Sequence, residues 1–182
     1  MKLENYMSWE GGIDVAGLLN GAEQPNVIVH LARMVHTPVG SAPAGMVLIQ
    51  SNPDAQPEVM GFVSPNPDVA AYFGPKIFAN TPFEHAPSLE AEITIDDSRG
   101  IAASRLEVAG RVIECTLSDL GSLEMINREP AAMSPFHQQV LEAAAASVEI
   151  RLDGNSLFIQ LPPQGLSGGP AAVYSPAGIY SR

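Results

Sequence analysis

The chain has 182 residues, of which 46% are hydrophobic and 16% charged, and a formal net charge of −11. That composition suits one globular domain with a real core and excludes a disordered chain, while nine scattered cations exclude a grip on a phosphate backbone. Cys115 is the single cysteine, so no intramolecular disulfide forms, as expected of a reducing compartment.

The opening MKLENYMSWEGG lacks a cationic stretch followed by an apolar run, and no apolar segment reaches the ~18 residues a spanning helix needs. A single domain over 1–182 is expected, cytoplasmic, with neither nucleic acid nor membrane as partner. DVAGLLNG reads as a short helical turn. NVIVHLARMVHT then alternates: Val27, Val29, Leu31 and Val35 share one parity, and Ile28, His30, Ala32, Met34 and His36 the other. Its β-branched residues favour a strand buried on both faces.

GMVLIQS and EVMGFVS read as two strands joined by the turn-rich SNPDAQP, an antiparallel arrangement. YFGPKIFANTPFEHAP, residues 72–87, carries two glycine- or proline-rich breaks and reads as a structured loop. LEAEITIDD sets Ala91, Ile93 and Ile95 against Glu90, Glu92 and Thr94, a strand with one wet face. SRLEVAGRVIECTLSDLG is a hairpin turning at Ala109 and Gly110. Cys115 falls in phase with Ile113 and Leu117, which makes it a packing thiol rather than a nucleophile.

SPFHQQVLEAAAA predicts the one long helix, over residues 135–146, with Ser134 as cap, Pro135 in the first turn and an alanine-rich body. Val148, Ile150 and Leu152 then alternate with Glu149 and Arg151 up to a DGN turn, a second hairpin, and the tail supplies two short strands around Ser175 and Pro176. The fold class is mainly β, or α+β by strict count: an antiparallel sandwich or barrel with that helix packed on it. A helix followed by an alternating hairpin is a generic ending that names no family.

The loop at 72–87 draws attention because it concentrates Tyr72, Phe73, Phe78 and Phe83 together with Lys76, Glu84 and His85. An apolar wall with a few convergent polar groups describes a small-molecule site. The leading expectation is a binding domain for an apolar or aromatic small molecule, walled by those four aromatics and by Tyr174 and Tyr180. A second is a cofactor-independent lyase or isomerase in which a desolvated Lys76 acts as base or imine-forming amine, alongside Glu84 and His85. A third is a homo-oligomeric assembly protein whose aromatics and strand edges meet another copy.

Metal and cofactor templates are absent. His30 and His36 lie six residues apart on one strand, about 20 Å, too far to share an ion, and no HxH, HExxH or CxxC spacing occurs. His137 reads as an ordinary histidine of the first helical turn. SGGP at 167–170 lacks the Gly-Lys-Ser/Thr ending of a phosphate loop, and no nucleophile elbow or dinucleotide fingerprint is present. No metal and no cofactor is expected.

Overall fold

Alternation along Val27–Thr37 puts Val27, Val29 and Leu31 on one face and Ile28 and Ala32 on the other, and all five are buried. Both faces of that strand are therefore covered, and the fold is built around this fact. The computed structural model describes residues 6–131 and 135–182. In chain order its elements are β1 (Tyr6–Gly17), β2 (Val27–Thr37), β3 (Gly40–Ile49), β4 (Val59–Ser64), α1 (Pro67–Ile77), β5 (Ser88–Asp96), β6 (Ala102–Val108), β7 (Arg111–Leu120), β8 (Glu124–Arg128), β9 (His137–Leu152), β10 (Asn155–Leu157) and β11 (Ala172–Ser181).

The strands form one sheet in the order β10-β9-β11-β1-β2-β3-β4-β5-β6-β7, and β7 also pairs with β9, so the sheet curls into a ring. Barrel and one helix agree with the expected class. The inner core runs right around the ring, from Val15, Val29 and Val47 through Ile93 and Leu106 to Cys115 and Ile150. A second core lies on the other face of β2 and β3, where Ile28, Ala44, Met46 and Leu48 meet Phe62 and, from α1 and the loop after it, Val69, Phe73 and Phe78. Each fully buried side chain of this size stabilises by roughly 1.5–3 kcal/mol.

The helix expected over 135–146 is overturned: His137–Leu152 is the longest strand of the protein. Alanine favours helix over strand by a few tenths of a kcal/mol per residue, and such propensities yield to tertiary pairing. Here β9 is paired on both edges, with β11 and β10 along one and with β7 and β8 along the other. Its burial alternates accordingly, with Phe136, Gln138 and Val140 in and His137 and Gln139 out, then Ala143 and Ala145 in and Ala144 and Ala146 out. The proposed cap, Ser134, lies outside the described residues.

The helix stands instead at Pro67–Ile77, and its second half, from Tyr72 on, falls in the stretch read as loop. Its start is locally specified: Asn66 accepts a hydrogen bond from the Asp68 amide at 3.0 Å, Pro67 sits in the first turn and Asp68 faces the positive end of the dipole. Gly74 and Pro75 look like breakers, but they belong to the last turn. Gly74 is where the helix touches the sheet, since a Cβ there would fall inside the Phe62 ring.

Three smaller expectations change as well. β4 and β5 pair in parallel, because α1 carries the chain across between them. DVAGLLNG is strand as far as Gly17 and then a turn, closed by the buried side chain of Asn26, which accepts from Leu19 N at 2.7 Å and donates to Leu19 O and Gln50 O at 3.0 and 2.8 Å. The tail is one strand with a register shift between Tyr174 and Ala177, where Pro176 needs no ladder partner for its nitrogen. The two expected hairpins, β6–β7 and β9–β10, are present.

A polar strap crosses from β11 to the segment after β5. The Tyr174 hydroxyl donates to Asp97 at 2.6 Å and Arg33 donates to the other carboxylate oxygen at 2.8 Å. Tyr174 above all, with Arg33, holds the Asp97 carboxyl below its ordinary value of 3.8. A depressed carboxyl pKa stabilises above the unfolded value and loses that contribution as pH falls through the folded one.

Asp97→Ala should therefore cost about 1.5–3 kcal/mol at neutral pH. In urea titrations the gap from the parent should narrow below pH ~4. Gly74→Ala should cost about 1–3 kcal/mol by overpacking against Phe62, read as a lower melting temperature.

Candidate functional site

The second face of the sheet does not close completely under α1. Between them lies a cavity of about 290 Å³. Counted at ~30 Å³ per water-sized group, it holds roughly ten such groups, a small organic molecule rather than a dinucleotide. Its roof is Phe73 and Ile77 of α1 with Phe78, Thr81, Pro82 and Phe83 of the following loop. That loop is a run of turns: the amides of Phe78, Thr81, Glu84 and Ala86 donate to the carbonyls of Gly74, Phe78, Thr81 and Phe83. Backbone bonding of this kind presents the phenyl rings on a fixed support.

The floor comes from distant strands. Apolar positions are Met7, Ala32, Val35, Ala44 and Val140. Trp9 lies at one end, its Nε1 donating to Ser175 Oγ at 3.1 Å and its ring 4.7 Å from that of Tyr180. Gly178 admits that packing, because a Cβ there would overlap the Trp9 ring. Phe136 packs on the far side of Tyr180 at 6.2 Å.

A polar row runs through this apolar setting. Asp14 of β1 and His30 of β2 are direct cross-strand neighbours, and His30 Nδ1 lies 3.2 Å from Asp14 Oδ1. A carboxylate can only accept, so Nδ1 carries the proton and, in the neutral ring, Nε2 keeps its lone pair. Phe73 stacks on the imidazole at 5.9 Å and Phe78 meets it edge-on at 5.6 Å. On the other side of β11, Arg128 of β8 donates from both terminal nitrogens to the two oxygens of Glu142 of β9, each at 2.8 Å. The hydrogen bonds to Glu142 are the main reason the guanidinium pKa is raised.

Tyr180 ties the two halves together electrically. Burial pushes its phenol pKa up strongly, the charges of Asp14 and Glu142 add to this and that of Arg128 opposes it. The side chain is thus a neutral O–H donor at any ordinary pH. Asp14, His30, Arg128 and Glu142 keep side-chain exposures of 27, 23, 20 and 15%, values that leave each reachable from the cavity. With neutral His30, the row carries two negative charges and one positive.

The residues singled out in the sequence divide. Phe73, Phe78, Phe83 and Tyr180 line the cavity, whereas Tyr72 and Tyr174 do not. Tyr72 packs at the margin of the second core and Tyr174 against the inner one, in the strap with Asp97. Lys76, Glu84 and His85 are not brought together at the cavity. Lys76 sits over the Tyr72 ring, 3.8 Å from its centre, and donates to the Tyr72 carbonyl at 3.4 Å, with burial lowering its pKa. Glu84 accepts from the Asn80 amide at 2.8 Å, and His85 is exposed.

Asp14, Trp9, Arg128 and Glu142 escaped sequence reasoning, and His30 was weighed only as a metal ligand. The available signal was a polar side chain on an otherwise apolar strand face, at Asp14 and at His30. Cys115 is fully buried, its thiol pushed up to about 12 by that burial. Among the described residues no three of His, Cys, Asp and Glu converge as a metal centre requires, and no helix is long and apolar enough to cross a membrane.

No protein-family model and no curated protein matches the sequence. Among solved structures, an acetoacetate decarboxylase from Legionella pneumophila aligns with 97% of this chain and 86% of its own, at 9% identity and a TM-score of 0.37. A superposition this loose carries no information about which residues of the present chain bind or react.

Proposed function

We propose that the chain binds a small, mostly apolar, uncharged molecule in the cavity beneath α1, with one polar group of the ligand set against the row of Asp14, His30, Tyr180, Arg128 and Glu142. One observation carries the reading: aromatic and aliphatic side chains enclose a volume of about 290 Å³ whose floor holds a short, ordered set of polar groups. Apolar walls with few convergent polar groups are the usual make-up of a ligand pocket. Rings at Phe73, Phe78, Phe83, Trp9 and Tyr180 favour a flat or aromatic ligand body.

The charge of the row limits the ligand's head. Arg128 already faces the carboxylate of Glu142 with both terminal nitrogens, so its charge is compensated, and Asp14 adds a second negative charge that a carboxylate ligand would meet. A neutral hydroxyl or carbonyl meets no such repulsion.

Trp9 is the only tryptophan, so its fluorescence reports on this cavity alone. Phenylacetone and 2-phenylethanol should change that emission saturably, and phenylacetate at the same concentrations should not. Ala32→Phe, which fills the floor, should weaken both neutral probes at least ~10-fold, about 1.4 kcal/mol, while circular dichroism shows an unchanged fold. Equal binding of all three compounds, or full affinity in the filled variant, would remove this reading.

A further inference from the structure

The polar row is more than a set of anchors, and the reason lies in what its members leave unpaired. His30 spends Nδ1 on Asp14, and among the described residues no group is hydrogen-bonded to Nε2. Tyr180 lines the same cavity, its neutral phenol within electrostatic reach of Asp14, Arg128 and Glu142, and among the described residues its oxygen likewise makes no hydrogen bond. A lone pair held by an oriented imidazole and an idle O–H donor, both facing one apolar enclosure, are the two parts that proton transfer next to a carbonyl requires.

We infer that this cavity catalyses proton transfer at a carbon adjacent to the carbonyl of a small apolar ketone, with His30 as the base, Asp14 as its positioning residue and Tyr180 as donor to the carbonyl oxygen. The inference rests on the binding reading above and names its substrate class. The step balances within the site. His30 Nε2 takes the proton from the α-carbon, and the electron pair of the broken C–H bond becomes the carbon–carbon double bond of an enolate. The negative charge gathers on oxygen, where the Tyr180 O–H donates a hydrogen bond. While the enolate persists the imidazolium exchanges its proton with solvent and delivers a solvent hydron to the same carbon, or it passes the original proton to the far end of a conjugated system, so that the net result is solvent exchange or isomerisation.

Each neighbour has a definite effect on this step. Asp14 fixes the ring with Nε2 free and faces the imidazolium as it forms. Phe73 and Phe78 pack against the imidazole, one stacked and one at a right angle, and hold the ring plane in place. Burial keeps the Tyr180 hydroxyl protonated, so it donates to the developing oxyanion rather than repelling it. Arg128 and Glu142 neutralise one another, which leaves the oxyanion facing no uncompensated charge from that pair. Lys76 does not line the cavity and is not placed to form an imine there.

The test is hydrogen–deuterium exchange at the benzylic carbon of phenylacetone in deuterated buffer, followed by proton NMR, with occupancy measured in parallel through Trp9. The parent protein should exchange that position at least 100-fold faster than buffer. His30→Gln should return it to the buffer rate. Asp14→Asn should lower it ~10–100-fold at saturating probe, with Trp9 still reporting occupancy, and long-range nitrogen–proton spectra should show His30 losing its fixed Nδ1–H form. His36→Gln, at a histidine bonded to Ser41 and Glu10 outside the cavity, should exchange like the parent. Saturable binding with exchange at the buffer rate overturns the catalytic inference and leaves the binding reading standing. Exchange that survives His30→Gln overturns the assignment of the base. Absence of binding overturns both.

Discussion

The pairing of β9 along both of its edges is the constraint on which the rest depends. One edge receives β11 and β10, and the other receives β7 and then β8, which continue one another along nearly its whole length. A strand bonded on both sides has no backbone group left to satisfy and no edge to protect. It also closes the ring, because β7 and β11 come from opposite ends of the strand order. In a strand, Gln138, Val140 and Glu142 share one face and reach the cavity together; in a helix, residues two apart would point in nearly opposite directions. Arg128 follows, since β8 lies beside β9 and brings the guanidinium within reach of Glu142.

Much of this architecture was legible in the sequence, and the exceptions share a physical origin. Strict alternation marked β2, β5 and both hairpins, because a residue's exposure there is decided by its own strand. The segment Phe136–Ala146 was misread because alanine is small enough for either period. Whether Ala143 and Ala145 face inward is settled by distant strands, since Ala143 pairs with Tyr174 of β11 and Ala145 with Leu120 of β7. The opposite error at α1 arose from weighing Gly74 and Pro75 above the Asn66, Pro67 and Asp68 start signal. Pro75 supplies no N–H to the carbonyl of residue 71, and the helix ends two residues later, at Ile77.

The site shows the same division between local and distant information. Its roof is nearly contiguous, so three of the six aromatic positions singled out on composition, Phe73, Phe78 and Phe83, reach the cavity together, and Tyr180 joins them from β11. Its floor is a coincidence of register. Asp14 and His30 are opposite one another only because β1 and β2 pair with Ser8 facing His36, and no property of either residue alone announces it. The bulge between Ala32 and Val35 moves Val35 onto the same face as Ala32, against the parity of the sequence. Stability does not account for the charged pair on the floor. A semi-buried Arg–Glu pair is about as stabilising as a well-packed apolar pair of similar volume, so its retention calls for another explanation than fold energy.

The parallel step from β4 to β5 has a further implication. Because α1 and its loop occupy a single crossover between two neighbouring strands, the roof is one continuous stretch of chain, whereas the floor is shared among six strands, β1, β2, β3, β8, β9 and β11. Roof and floor are thus separable units of inheritance. Insertions or exchanges within residues 67–87 would reshape what the cavity admits while leaving the strand register, and with it the Asp14–His30 pair, untouched. A fold divided in this way can vary the roof of its cavity by altering one loop-sized cassette, with the polar row carried along unchanged on the sheet.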